Sequence, residues 1–156
     1  MRRLILTILA TLCAWMAWAQ NEQDFASRFM QLYGRGASIS NTTVSPMMMQ
    51  RMMQLPDVEE NEQTRQILSQ LKSITMLQCM DAGDTSRLYA HARELAQRNP
   101  NRYKLYAKET GKRLYVRHRG TLIVELVLFM EQGNNFCLIN LTGNMTERFL
   151  QQVLRM

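Results

Sequence analysis

The stretch Thr121–Gly143 constrains the fold of this chain more than any other. Its first half, TLIVELVLFM, puts Leu122, Val124, Leu126, Leu128 and Met130 on one face of an extended segment. The other face carries Ile123, Val127 and Phe129, with Glu125 as the one charge. A strand with a wet face alternates apolar and polar residues, so apolar groups on both faces predict a central strand covered on both sides. Glu131-Gln132-Gly133-Asn134-Asn135 supplies residues that tolerate positive φ, as a short hairpin connection requires. The return strand Phe136–Thr142 sets Cys137, Ile139 and Leu141 against Phe136, Leu138, Asn140 and Thr142. Gly143-Asn144 is expected to break that strand, and a helix over Thr146–Leu154 follows, with Asn144 placed to cap it and Glu147 at the reciprocal position.

The remaining elements are read outward from this hairpin. Phe25, Phe29, Leu32 and Tyr33 recur at helical spacing within Glu22–Tyr33, and Gly34-Arg35-Gly36 stops that helix. Ala37–Val44 suits a short strand. Ser45-Pro46 starts a helix over Pro46–Leu55, with Ser as cap and Pro at the first helical position. Asp57–Gln63 reads as a solvated loop or helix start, Gln63–Leu71 as helical, and Ser73–Met80 as a strand. Thr85–Asn99 carries Leu88, Tyr89, Ala92, Leu95 and Ala96 on one stripe and closes at Asn99-Pro100. Tyr103–Lys108 is a short strand or the end of a loop, and Lys112–His118 is a strand with Leu114 and Val116 inward. Consecutive strands joined by short turns form a meander that helices must cover. The expected class is α+β, with an antiparallel sheet of about four or five strands, a C-terminal β-meander and helices packed on the sheet.

Residues 1–19 read as a cleaved secretory signal: Arg2 and Arg3 in front, an apolar run from Leu4, and Ala17-Trp18-Ala19 before Gln20. The apolar run is shorter than the ~20 residues a membrane helix needs, so no transmembrane span is expected once the signal is removed. Cys13 does not read as a lipidation site, because Leu12 before it is not small. The expectation is a periplasmic or secreted single domain over residues 20–156. Removing Arg2 and Arg3 from 19 basic residues leaves 17 against 13 acidic ones, a net +4. Without dense Lys/Arg runs that excess suggests solubility and no nucleic-acid partner.

The order of segments resembles a known family. An early Phe-containing helix is followed by SITMLQCM, by YKLYAKETGKRLYVRHRG, by a strand with Ile123-Val124-Glu125-Leu126-Val127, and by Leu141-Thr142-Gly143 before the last helix. This pattern is similar to DUF4252, small exported proteins of Bacteroidetes without an assigned biochemical role. The resemblance implies a bacterial envelope location and a link to extracytoplasmic sigma-factor systems, hence envelope sensing or stress signalling. It supplies no catalytic residues and no cofactor.

Individual residues offer several chemistries. In Met47–Met53 the pairs Met48/Met52 and Met49/Met53 stand at i, i+4. Thioethers so spaced suit a Cu(I) site, a groove for a partner protein or peptide, or an ordinary apolar stripe, and the stripe is favoured. Glu125 inside a central strand reads as a general acid in a pocket or, by preference, as a structural carboxylate paired with Arg113 or Arg117. Lys112, Arg113 and Arg117, with Lys104, Lys108, His118 and Arg119, form either a partner-binding face or the charged guard of a sheet edge. Cys79 and Cys137 are small core hydrophobes, or one disulfide between neighbouring strands. His91 and His118 lack companions at metal-ligand spacing, and hydrolase, zinc-protease and phosphate-loop motifs are missing from the sequence. These features favour a non-enzymatic binding or interaction module with a protein or peptide partner in the cell envelope.

Overall fold

A computed structural model describes residues 23–155, and the signal sequence expected over residues 1–19 lies outside them. Six strands form one antiparallel sheet: β1 (Ser40–Val44), β2 (Leu71–Cys79), β3 (Lys104–Glu109), β4 (Lys112–Arg119), β5 (Leu122–Gln132) and β6 (Asn135–Met145). Their spatial order is β1-β2-β6-β5-β4-β3, so the hairpin β5–β6 sits in the middle, as its apolar faces demand. Among the described residues the helices are α1 (Phe25–Tyr33), α2 (Pro46–Met52), α3 (Pro56–Glu60), α4 (Glu62–Leu68), α5 (Ala82–Gln97) and α6 (Glu147–Arg155). The α+β class and the C-terminal meander are those expected from sequence. The strand count is higher, because Lys104–Glu109 pairs with β4 as a full strand and adds an edge.

Each sheet face has its own core. On one face α1 and α5 cover Leu77, Cys79, Tyr115, Val127, Phe129, Phe136 and Leu138. Phe25, Phe29 and Phe136 stack there, as do Phe25, Phe129 and Tyr115, while Tyr103 meets Phe25 edge-on at 5.3 Å. On the other face Phe149 and Leu150 of α6, with Ile67 of α4, cover Leu114, Val116, Ile123, Leu126, Leu141 and Met145. In α1 the buried set is Phe25, Ala26 and Phe29; Leu32, expected inward, is 48% exposed.

Two corrections to the sequence reading concern the sheet. Ile123 does not share a face with Val127 and Phe129. Pairing skips Val124, a β-bulge, and one extra residue turns Ile123 over to join Leu126 on the opposite face. The hairpin turn shrinks from five expected residues to Gly133-Asn134, with Gly133 at φ 58 and Gln132 paired to Asn135.

The end of β6 also differs. Gly143 does not break the strand, which runs to Met145. Gly143 instead lets two backbones touch, since a Cβ there would stand 2.0 Å from the carbonyl oxygen of Gln70. Asn144 N–H donates to that same carbonyl at 2.9 Å. Thr146, not Asn144, caps α6 by accepting Phe149 N–H at 3.2 Å, and the Gln70 side chain accepts from Thr146 N–H and Oγ1, both at 3.0 Å.

The two sheet edges are unlike. β3 carries Lys104, Lys108 and Glu109 and has a register break at Tyr106, the usual guards against strand pairing. β1 is SNTTV, uncharged, almost wholly exposed, and in unbroken register with β2.

Candidate functional site

Glu125 is fully buried, and each of its oxygens accepts two hydrogen bonds. Oε1 takes Phe25 N–H at 2.6 Å and Asn140 Nδ2 at 3.1 Å; Oε2 takes Arg117 Nε at 2.8 Å and the Tyr103 hydroxyl at 3.1 Å. Four acceptor positions are thereby filled, which is how a carboxylate tolerates burial. Asn140 Oδ1 accepts Ala26 N–H at 2.9 Å, so the first two amides of α1 end on side chains of β5 and β6. The third, Ser27 N–H, goes to its own cap Asp24 at 2.8 Å. A helix start normally leaves such amides to water; here they fasten α1 to the sheet. Burial, and next the charge of Glu125, push the Tyr103 phenol up to about 12. Of the two sequence readings, pairing with Arg117 is the one the geometry displays; Arg113 does not reach Glu125.

Beside this network opens a cleft of about 1220 Å³. Its floor is the polar end of the sheet, where Thr43, Ser73, Thr75 and Thr142 lie on one face in adjacent register. The Ser73 and Thr142 hydroxyls are 2.5 Å apart. The start of α1 forms one wall and α2 another, with Met30, Met49 and Met53 lining the space. Lys72, Arg117 and Arg119 supply the positive charge, and Asp24 is the lining carboxylate. The Lys72 position is a bulge in β2, opposite the close approach of Gly143.

The candidate residues from the sequence are dispersed by this geometry. Met49 is 3% exposed, Met48 is 49% exposed, and Met52 and Met53 are half-buried. The methionines therefore divide between core, cleft wall and open surface and do not form a single stripe. Successive residues of β4 face opposite ways. Arg113 and Arg117 share the Tyr115 side, while Lys112 goes with Leu114 and Val116. β4 is an interior strand, so edge protection falls to Lys104 and Lys108 of β3 and not to Lys112, Arg113 or Arg117. Nε of Arg113 is buried without a hydrogen bond.

Cys79 and Cys137 are both unbonded. Cys79 pairs with Phe136 and Cys137 with Gln78, so the two lie one residue out of step and point to opposite faces. Burial pushes the Cys137 thiol up. His91 stacks on Tyr33 at 4.2 Å, and His118 lies 3.6 Å from Glu147. Among the described residues no cluster of three His, Cys, Asp or Glu side chains could hold a metal ion.

The cleft itself was not legible in the sequence. Lys72, Ser73, Thr142 and Thr43 come from three strands, and long-range strand pairing, with the bulge at Lys72, brings them together. The local signal that could have marked it is Thr142-Gly143, a polar and a small residue following the apolar run of β6.

Comparison with known proteins places these features in a family and no further. No curated protein matches the chain. A solved structure of a Pseudomonas aeruginosa protein of unknown function is 15% identical and covers 78% of this chain and 77% of its own, but at a TM-score of 0.30 it carries no argument. The family model described as a domain of unknown function, DUF4252, matches residues 33–153. That span runs from the end of α1 into α6 and contains every strand, so the chain belongs to the DUF4252 family.

Proposed function

We propose that this chain is an exported, non-enzymatic binding module of the bacterial envelope, working through the cleft between α1, α2 and the polar end of the sheet. The observation that carries the reading is the cleft itself. Its floor of hydroxyl groups and its thioether wall continue, past the end of the core under α1 and α5, the same face of the sheet. Pockets that take ligands combine apolar lining with a few placed polar groups, as here. Glu125, the one buried carboxylate near the cleft, has all four acceptor positions occupied, which favours a structural over a catalytic role. Export rests on the leader-like residues 1–19, and a part in envelope sensing rests on the family resemblance.

Two measurements test this. Fractionation of cells producing the chain should recover it outside the cytoplasm, shortened at its N-terminus. A screen of peptides and small polar compounds, followed by amide NMR, should yield binders that shift Thr43, Thr75 and Thr142 together. Binders that shift only β3 and β4 would move the functional surface to the basic strands and sink the cleft reading.

A further inference from the structure

The guanidinium of Arg117 is held in an unusual way. Its Nε donates to buried Glu125 at 2.8 Å, while the side chain keeps 18% of its surface exposed and lines the cleft. Its two terminal nitrogens make no hydrogen bond among the described residues and are not buried. The fork that binds oxyanions is therefore open, and the carboxylate behind it fixes its direction. Bidentate recognition of carboxylates and phosphates by arginine depends on such a pre-set fork.

The surroundings match this donor. Lys72 lines the same cleft and forms no ion pair among the described residues, and Arg119 adds a third cation to the lining. The acidic groups nearby are already engaged: Asp24 accepts from the N–H and Oγ of Ser27, and Glu125 from its four donors. Cross-strand register carries the floor from Arg117 over Glu125 and Thr142 to Ser73, with Met49 and Met53 beyond. The cleft thus offers arginines at its β4 end, hydroxyls in the middle with Lys72 beside Ser73, and adaptable apolar sulfur from α2. Its volume exceeds the upper end of ordinary small-molecule pockets, roughly 1,000 Å³.

From this we infer that the cleft binds an acidic peptide segment, seating a carboxylate on the open fork of Arg117 and an apolar side chain on the half-buried Met53. This rests on the cleft being the binding surface, as proposed above. The thioether wall favours peptide side chains, because methionine packs against varied apolar shapes.

The test uses the chain as isolated from cells and two capped pentapeptides, one alternating Leu with Glu and one alternating Leu with Gln, with inorganic phosphate as a third probe. The Glu peptide should bind at least about tenfold more tightly than the Gln peptide, and should weaken as salt rises. Arg117→Lys retains a cation beside Glu125 but loses the fork, so it should weaken the Glu peptide roughly 10- to 100-fold, in the range of charge-assisted pairs. Lys72→Ala leaves the Glu125 network untouched and should weaken it severalfold, which keeps the test sound if Arg117→Lys disturbs the fold. Equal binding of both peptides, with shifts at Thr43 and Thr142, would overturn the acidic class and leave the cleft reading standing. Failure of every probe to shift the cleft residues removes both. Phosphate binding as tightly as the Glu peptide overturns the peptide assignment in favour of a bare oxyanion site.

Discussion

Glu125 sets a carboxylate in the interior of the sheet and has all four of its acceptor positions filled by Phe25, Asn140, Arg117 and Tyr103. Its isolation in an apolar strand marked it as a buried carboxylate, and Arg117 eight residues earlier was a reasonable partner across the β4–β5 pairing. The other three donors come from α1, the Tyr103 segment and β6, which no local spacing reveals. Breaking a buried pair by removing one partner typically costs 3–5 kcal/mol. Glu125→Gln should accordingly lower unfolding stability by about 3 kcal/mol in urea titration, by stranding Arg117. Tyr103 gives this network a signature at high pH. Its folded pKa, about 12, stands above its ordinary value, so the folded state holds the phenolic proton more tightly than the unfolded chain. The resulting stability is fully present below about pH 10 and is lost as pH rises through 12; a shift of that size corresponds to about 2–3 kcal/mol. Tyr103→Phe should flatten the fall in thermal midpoint between those two values, while lowering stability at neutral pH by about 1–2 kcal/mol through the lost hydrogen bond.

Among the elements, the central hairpin could be foreseen because hydrophobicity on both faces of a strand has one structural solution. The bulges at Lys72 and Val124 could not, because a single inserted residue changes facing without changing composition. Their consequence is concentrated at Gly143, where the chain lacks room for even one carbon. Gly143→Ala should destabilise by about 3 kcal/mol or more, since the clashing partner is backbone and cannot swing away. Denaturant unfolding checks this. Helix α1 tests the sheet-to-helix tether. Asn140→Ala strands Ala26 N–H and removes one donor from Glu125, a cost of about 2 kcal/mol. Hydrogen exchange should rise over Phe25–Tyr33 more than over α5, which packs on the same face without these bonds. Equal acceleration in both helices would mean that α1 is held by its phenylalanines alone.

For the molecule as a whole, class and order of elements followed from the pattern of apolar residues, whereas the cleft followed from how three strand ends meet. The cysteines belong to this scale too, since their fate depends on compartment as well as on geometry. Strand register sends Cys79 and Cys137 to opposite faces, so the folded chain should keep both thiols even under oxidising conditions. Mass spectrometry after alkylation should find both free, with Cys137 reacting slowly at neutral pH because burial holds its thiol protonated. The unlike edges of the sheet bear on association. Two copies that joined through β1, each strand antiparallel to its mate, would occupy both uncharged edges at once. The twelve-stranded sheet so formed would end on two copies of β3, each with its lysines and its broken register. Growth by strand addition would stop there, so the same asymmetry that leaves one side of the sheet open also sets the pair as the largest assembly that side can build.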